Sequence, residues 1–298
     1  MALNNFPVSP NEVKRYTGEL DKIVSQKAVT GFLADNVFRA KFVGAKTVII
    51  PDIDFVGLSD YDRDEGFARG ATTISQTSFT LTKDRGRQLQ IDREDLDETG
   101  VANLAGQVLG EFARTKVVPE VDAYVLSKLA GVAETQGNSK GASGNYFADF
   151  IEQVNAIRAE IGHDEELVAF VDNSFHTGLM TSDEFGKTID VGSFKKGEVD
   201  TQVTRVNGVP IIPVADSRMK RSYIFGNNGF TPVGDASDVH LIVMPKKAAS
   251  LVKKTETMRI FTPDQNKDAD AYVFNYRLYY DVFVKKSNLK LIRAIIAE

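Results

Sequence analysis

Residues Ala271–Val284 alternate without a break. Tyr272, Phe274, Tyr276, Leu278, Tyr280, Val282 and Val284 fall on one face, and Val273, Asn275, Arg277, Tyr279, Asp281 and Phe283 on the other. A period of two over this length predicts a long strand whose first face packs on a helix. Its aromatic density would also suit a platform for stacked bases, although unbroken alternation is the pattern of plain core. The helix predicted to cover it is Val101–Ala130. Val101, Leu104, Val108 and Phe112 mark its stripe, which resumes as Val117, Val121, Tyr124, Val125 and Leu129. Pro119 falls inside and predicts a kink or a division. At 1.5 Å per residue the span is about 45 Å, which suits an elongated molecule.

A different pattern runs from Asp54 to Glu98. Two β-like runs, Thr47–Phe55 and Ile74–Thr82, flank a loop crowded with Asp60, Asp62, Arg63, Asp64, Glu65 and Arg69. A third run, Gln88–Asp92, follows a turn expected at Asp84, Arg85 and Gly86. Phe79, Leu81, Leu89 and Ile91 alternate onto one face, opposite Thr80, Thr82, Gln88 and Gln90. So thin an apolar stripe makes a marginal hairpin in water, and the ribbon needs a surface to lie on. A solvated surface loop is the plainer reading of so many charges. Its length argues for function, because structureless loops beyond about 15 residues are uncommon otherwise.

Residues 9–29 predict an amphipathic helix that serves as an arm. Ser9 is its N-cap, Pro10 its first residue and Glu12 the capping-box partner, with Val13, Tyr16, Leu20 and Ile23 on one stripe. Residues 131–145 are small, polar and glycine-rich, the best internal boundary. A helix through Phe147, Phe150, Val154 and Ile157 follows, with Gly162 as its stop. Then come a buried strand at Leu167–Val171, a short capped helix from Asn173 and a polar loop over residues 186–200. Strands are expected at Thr201–Val206, Pro210–Pro213, Ser222–Gly226, Val239–Met244 and Lys290–Ile296, with a short helix starting at Pro245.

Composition narrows the classes. The chain has 298 residues and 42% hydrophobic content, enough for a real core. Cysteine is absent, which removes disulfides and thiolate chemistry. No cationic segment followed by an apolar run opens the chain, and no apolar stretch approaches the roughly 18 residues of a membrane span, so no signal peptide and no membrane are expected. A net charge of −5 argues against tight nucleic-acid binding as the main activity. Lysines cluster at Lys246, Lys247, Lys253 and Lys254 and again at Lys285 and Lys286. Such pairs are most simply solvated, though weak sequence-blind contact with a polyanion is compatible with them.

Catalytic chemistry is sparse. His163, His176 and His240 match no metal spacing, and His176 beside Ser174 lacks a nucleophile elbow. The glycines of GNSKGASG lack both the Walker and the dinucleotide spacing. Asp92, Glu94, Asp95, Asp97 and Glu98 stand where a helix begins, and acids at a positive helix end need no metal. No enzyme activity, cofactor or metal is expected.

The order of these parts resembles the major capsid proteins of tailed phages and prophages, which share the α+β Hong Kong 97-type fold. The segments GLSDYDRDEGF, TKDRGRQLQIDREDLDETG and RTKVVPEVDAYVLSKLA carry the resemblance, which is closest to capsid proteins of phages of low-GC Gram-positive bacteria. It implies an N-terminal arm over 1–40, an extended loop (E-loop) over 41–92, and a peripheral (P) domain with a spine helix over 93–144. It further implies an axial (A) domain over 145–254 and P-domain strands over 255–298.

The implied function is a shell subunit that assembles with itself into hexamers and pentamers of an icosahedral head. The shell encloses double-stranded DNA through weak, non-specific contact. Portal and decoration proteins are implied partners, and the almost immediate start of the arm implies either a separate scaffold protein, which Met1 favours, or a mature form. Assembly would take place in the cytoplasm of a bacterial host. Asp62, Arg63, Asp64, Lys83, Arg85 and Arg87 of the ribbon, with Tyr16 and Leu20 of the arm, are the expected inter-subunit contacts. An encapsulin-like shell around a cargo enzyme shares the fold, and neighbouring genes would separate the two. A two-domain hydrolase would instead be a monomer active in a substrate screen. A nucleic-acid-binding module would retain DNA as a monomer in a salt-sensitive way.

Overall fold

The computed structural model describes residues 28–34, 41–43, 46–61, 63, 66, 70, 72–94, 104–182, 189–196 and 199–297. The arm helix expected over residues 9–29 lies outside them except for its last two residues. Strand β1 (Lys41–Val43) pairs with β2 (Thr47–Phe55), and β2 pairs antiparallel with β3 (Thr72–Thr80), from Thr47 opposite Thr80 to Phe55 opposite Thr72. This is the expected ribbon. It is not detached from its own chain, however. Val48 and Ile50 at its base are buried with Leu81 against Val252, Tyr279 and Phe283, while β3 beyond Thr77 toward Thr72 is exposed.

No turn interrupts the chain at Asp84–Gly86. Strand β4 (Lys83–Asp92) runs through those residues and pairs with the closing strand, Lys83 opposite Tyr280 and Asp92 opposite Ala271. Gly86 is there because the strands crowd: a Cβ on it would stand 2.9 Å from the carbonyl oxygen of Tyr276. The one-face grouping of Phe79, Leu81, Leu89 and Ile91 is also corrected. The chain breaks step at Leu81–Thr82, so Phe79 and Leu81 join the ribbon-side cluster while Leu89 and Ile91 pack on the helix side.

The long helix comprises α1 (Leu104–Phe112), a π-helical turn at Ala113–Val117 and α2 (Val118–Thr135). Pro119 neither ends nor divides it. A proline ring collides with the carbonyl four residues back and offers no N–H. The wider turn, in which the Val118 N–H donates to the Ala113 carbonyl five residues back, makes room for that ring. The helix also continues through Gly131, beyond the expected boundary; the Arg221 guanidinium covers Gly131 at a distance a Cβ would not allow.

Next come β5 (Ser139–Lys140), α3 (Tyr146–Ile161), β6 (Leu167–Val171) and α4 (Asn173–Met180). Asn145 and Asp172 cap the two helices, their side chains accepting from the N–H groups of Ala148 and Phe175. Gly162 ends α3 with φ 78°, as expected. The polar stretch 186–200 is not a loop throughout: β7 (Ile189–Lys196) and β8 (Val199–Val206) form a hairpin. Asn207 and Gly208, both at positive φ, turn β8 into β9 (Val209–Pro213).

β10 (Tyr223–Gly226) and β11 (Gly229–Pro232) form a hairpin tipped by Asn227–Asn228. β12 (Val239–Pro245) is followed by a turn and then β13 (Ala249–Phe261), so the short helix expected at Pro245 is absent. Val252 packs on the ribbon side and Leu251 on the helix side, and this alternation selects strand. β14 (Ala271–Val284) has the predicted bounds; the last strand shortens to β15 (Arg293–Ile296), preceded by a 3-10 helix at Lys286–Leu291.

Two sheets sandwich the long helix. One has the order β13-β14-β4, the other β5-β15-β12-β6-β9-β8-β7. One continuous core joins Val121, Leu129, Phe274, Tyr276, Leu278 and Tyr280 to Val168, Phe170 and Ile242 of the second sheet. As predicted, the first face of β14 meets the helix. The Phe112 and Tyr276 rings lie edge to face at 6.2 Å, and those of Tyr124 and Tyr280 at 5.5 Å. The far face of the larger sheet is covered by α3 and α4 through Phe150, Val154, Ile157, Phe175 and Leu179.

Candidate assembly surface

The expected contact residues separate into two groups. Lys83, Arg85 and Arg87 alternate onto the helix-facing side of β4 and find partners within the chain. Arg85 donates to Glu120 from Nε at 2.6 Å and Nη2 at 3.2 Å, and Nη2 also donates to the Gly226 carbonyl at 2.8 Å. Arg87 donates to the Asn227 carbonyl at 2.9 Å. The Lys83 ammonium lies 3.9 Å from the centroid of Phe225. These three cations grip the tip of the β10–β11 hairpin. Glu120 raises the Arg85 pKa above its ordinary value, while burial lowers that of Lys83.

A cavity of about 360 Å³ opens beside this grip, walled by Arg87, Lys116, Phe112, Leu89 and Tyr276. Of the second group only Arg63 is described. Arg63 is exposed. Asp62, Asp64, Tyr16 and Leu20 lie outside the described residues.

Sequence reading missed the groups that fix the ribbon. Asp281, fully buried, accepts from the Thr82 N–H and hydroxyl, the Tyr124 hydroxyl and the Lys128 ammonium. On the solvent side, Asp84 accepts from Arg277 at 2.9 and 2.7 Å and from Lys46 at 3.2 Å. The hydrogen bond from Arg277 is the main reason the Asp84 carboxyl is held down to about 2, with Lys46 helping. The available signals were the one acid in a mostly apolar strand, and Glu120 directly after Pro119.

Beyond the base, the ribbon presents apolar side chains to solvent. Val56 is 68% exposed, Tyr61 61% and Ile74 68%, and Leu58 is fully exposed. The other large exposed hydrophobic residues among those described are Ile224 and Val233, at the β10–β11 hairpin. Apolar groups gathered at a projecting tip cost free energy in water and mark contact sites.

The histidines form no catalytic array. His240 Nδ1 lies 2.7 Å from Asp172 Oδ2, which raises the imidazole pKa. Ser174 donates its hydroxyl to that same carboxylate rather than to a histidine. His176 is half-buried and its pKa is lowered by desolvation. Among the described residues no cluster of His, Asp or Glu could hold a metal ion, and no helix is long and apolar enough to cross a membrane.

No protein-family model matches the sequence, and no curated protein is similar to it. Solved structures do match. The capsid of cyanophage P-SCSP1u aligns with a TM-score of 0.55 and 14% identity, over 87% of this chain and 85% of that one. The mature capsid of bacteriophage PhiM1 aligns at 0.54 and 14%, over 84% and 82%. A virus-like particle from Pyrococcus furiosus aligns at 0.53 and 10%, over 96% and 98%. The chain has the α+β Hong Kong 97-type capsid fold.

Proposed function

We propose that this chain is the subunit of a self-assembling icosahedral shell, the major head protein of a tailed phage. The observation that carries the reading is the ribbon: its base is fixed to the subunit, while Val56, Leu58 and Ile74 stand exposed at its outer part. Apolar side chains left exposed on the ribbon call for a covering surface, and the shared fold supports a second copy of the same chain as its source. Segment 41–92 is then the E-loop, with its ribbon ending at Leu81–Thr82. Residues 93–144 and 255–298 form the P domain, 145–254 the A domain and 1–40 the arm.

Each subunit gives its ribbon to one neighbour and receives another's. Such head-to-tail contacts close into hexamers and pentamers when the rotation per subunit closes. Contacts of modest strength suffice because each subunit makes several at once. A scaffold protein, a portal and a decoration protein belong to this reading, as do enclosed double-stranded DNA and assembly in a bacterial cytoplasm. The relationship to phages of low-GC Gram-positive bacteria rests on the sequence segments alone. Lys83, Arg85 and Arg87 would act on the interface by holding the hairpin, and Asp62, Arg63 and Asp64 by touching the neighbour.

Negative-stain microscopy of the expressed protein tests this reading. Closed, uniform shells support it, and a monomer at all concentrations sinks it. A second reading, a shell around a cargo enzyme, draws on the near end-to-end match to the virus-like particle. Shells that co-purify with an enzyme would favour it.

A further inference from the structure

The lysine clusters that the sequence leaves as solvated pairs are brought together by strand pairing. Residues 245–254 hold four lysines and no acid, and residues 282–294 hold Lys285, Lys286, Lys290 and Arg293, again with no acid. Ala249, the first residue of β13, lies opposite Val284, the last of β14. Lys246–Lys247 and Lys285–Lys286 therefore project past the same end of one ladder. The 3-10 helix that follows carries Lys290 beside them.

Asn288 holds this end together, donating to the Ala248 carbonyl at 3.1 Å while its N–H donates to the Lys285 carbonyl at 2.9 Å. Lys247, Lys286 and Lys290 are exposed. Nearby acids include Glu166, paired with Lys246 at 3.1 Å, and Glu165, which shares a cavity lining with Lys247. The patch stays cationic on a chain whose net charge is −5.

We infer that this end of the β13–β14 ladder is a contact surface for the phosphate backbone of double-stranded DNA. The inference rests on the shell reading for its biological setting. Phosphate contacts need flexible point charges and no apolar anchor, and that is what the patch offers. Among the described residues, the large exposed hydrophobic ones lie instead on the ribbon and the β10–β11 hairpin. A docking protein would be expected to require such anchors. Lysine rather than arginine fits a sequence-blind contact that must release as DNA is packed and ejected.

The test is anisotropy of a short fluorescent DNA duplex with the full-length protein, titrated between about 50 and 200 mM salt. Each phosphate contact contributes about 0.9 to the slope of log K against log salt, so Lys247→Gln, Lys286→Gln and Lys290→Gln together should lower it by about 2.7. Lys267→Gln, at the opposite end of the ladder, should leave the slope unchanged. An unchanged slope in the triple variant overturns the proposal, as does an equal loss in the Lys267 variant. Displacement of the duplex by an equal charge of polyglutamate would also overturn it, marking a general acidic-polymer surface. Microscopy of the same preparations separates the two readings. Shells with an unchanged slope sink this surface and leave the shell; a lowered slope without shells at any concentration does the reverse.

Discussion

The carboxylate of Asp281 accepts both the backbone N–H of Thr82, at 3.0 Å, and its hydroxyl, at 2.8 Å. Thr82 is the residue at which the ribbon leaves the sheet, so this contact sets the joint between projecting and fixed parts. The Tyr124 hydroxyl and Lys128 converge on the same carboxylate, tying the joint to the long helix. A buried acceptor shared by that many donors cannot be removed quietly.

Asp281→Ala removes the charged acceptor shared by the Thr82 N–H and hydroxyl, the Tyr124 hydroxyl and the Lys128 ammonium. Hydrogen bonds to a charged group contribute about 1.5–3 kcal/mol, so with several lost and some regained from water a loss of about 3 kcal/mol is expected. Thr82→Val removes only the hydroxyl donor and should cost about 1 kcal/mol. Urea midpoints of the two variants check this. Equal midpoints in Asp281→Ala and the parent would show that the joint is held by packing alone.

Phe112→Ala tests the contact between helix and strand. Phe112 packs edge to face on Tyr276 and is only partly buried, since it also walls the cavity beside β4. The cost should sit at the low end for such truncations, about 3 kcal/mol. Differential scanning calorimetry gives the loss directly, and soluble shells should disappear with it.

What was legible in the sequence was whatever one segment's own pattern decides. The bounds of β14, β2 and β6 and the Gly162 stop needed only local alternation or a local cap. Misread segments were those where a distant partner decides. Lys83–Gly86 looks like a charged turn, yet β14 supplies a ladder to pair with and Glu120 a carboxylate to receive Arg85. Residues 246–261 look helical at the start because lysines and alanines favour helix. The two-sided core above and below β13 overrides that preference. The candidate surface followed the same rule: the charges of the ribbon were visible, but which of them the subunit itself uses was not.

Acid should loosen the solvent side of the joint. The folded pKa of Asp84, about 2, lies below its ordinary value of 3.8. Its pairing with Arg277 therefore stabilises the fold above about pH 4 and is lost as pH falls toward 2. The pair is partly exposed, so at pH 7 it is worth only about 0–1 kcal/mol. In a urea series from neutral pH downward, Asp84→Asn should lose less stability than the parent between pH 4 and 2. Parallel curves for the two proteins would refute the assignment.

The sharpest test of the shell reading separates folding from assembly at the ribbon. Reversing Arg85 cannot do so, because its partner Glu120 is in the same subunit and the variant would weaken the fold itself. Val56, Leu58 and Ile74 can, since solvent surrounds them in the subunit. Replacing them with Ser, Ser and Thr should change subunit stability by no more than about 0.5 kcal/mol each, the usual range for surface substitutions. If the ribbon's tip is buried on a neighbour, the same changes remove apolar area from every contact in the shell, and the loss multiplies around each ring. Circular dichroism should then show a normal fold, while sedimentation shows free subunits or small oligomers instead of shells. Arg63→Glu alone should have little effect, because a single exposed charge contributes about 0–1 kcal/mol. Normal shells from the triple variant would mean that the apolar tip is not an assembly contact, and the ribbon would need another explanation.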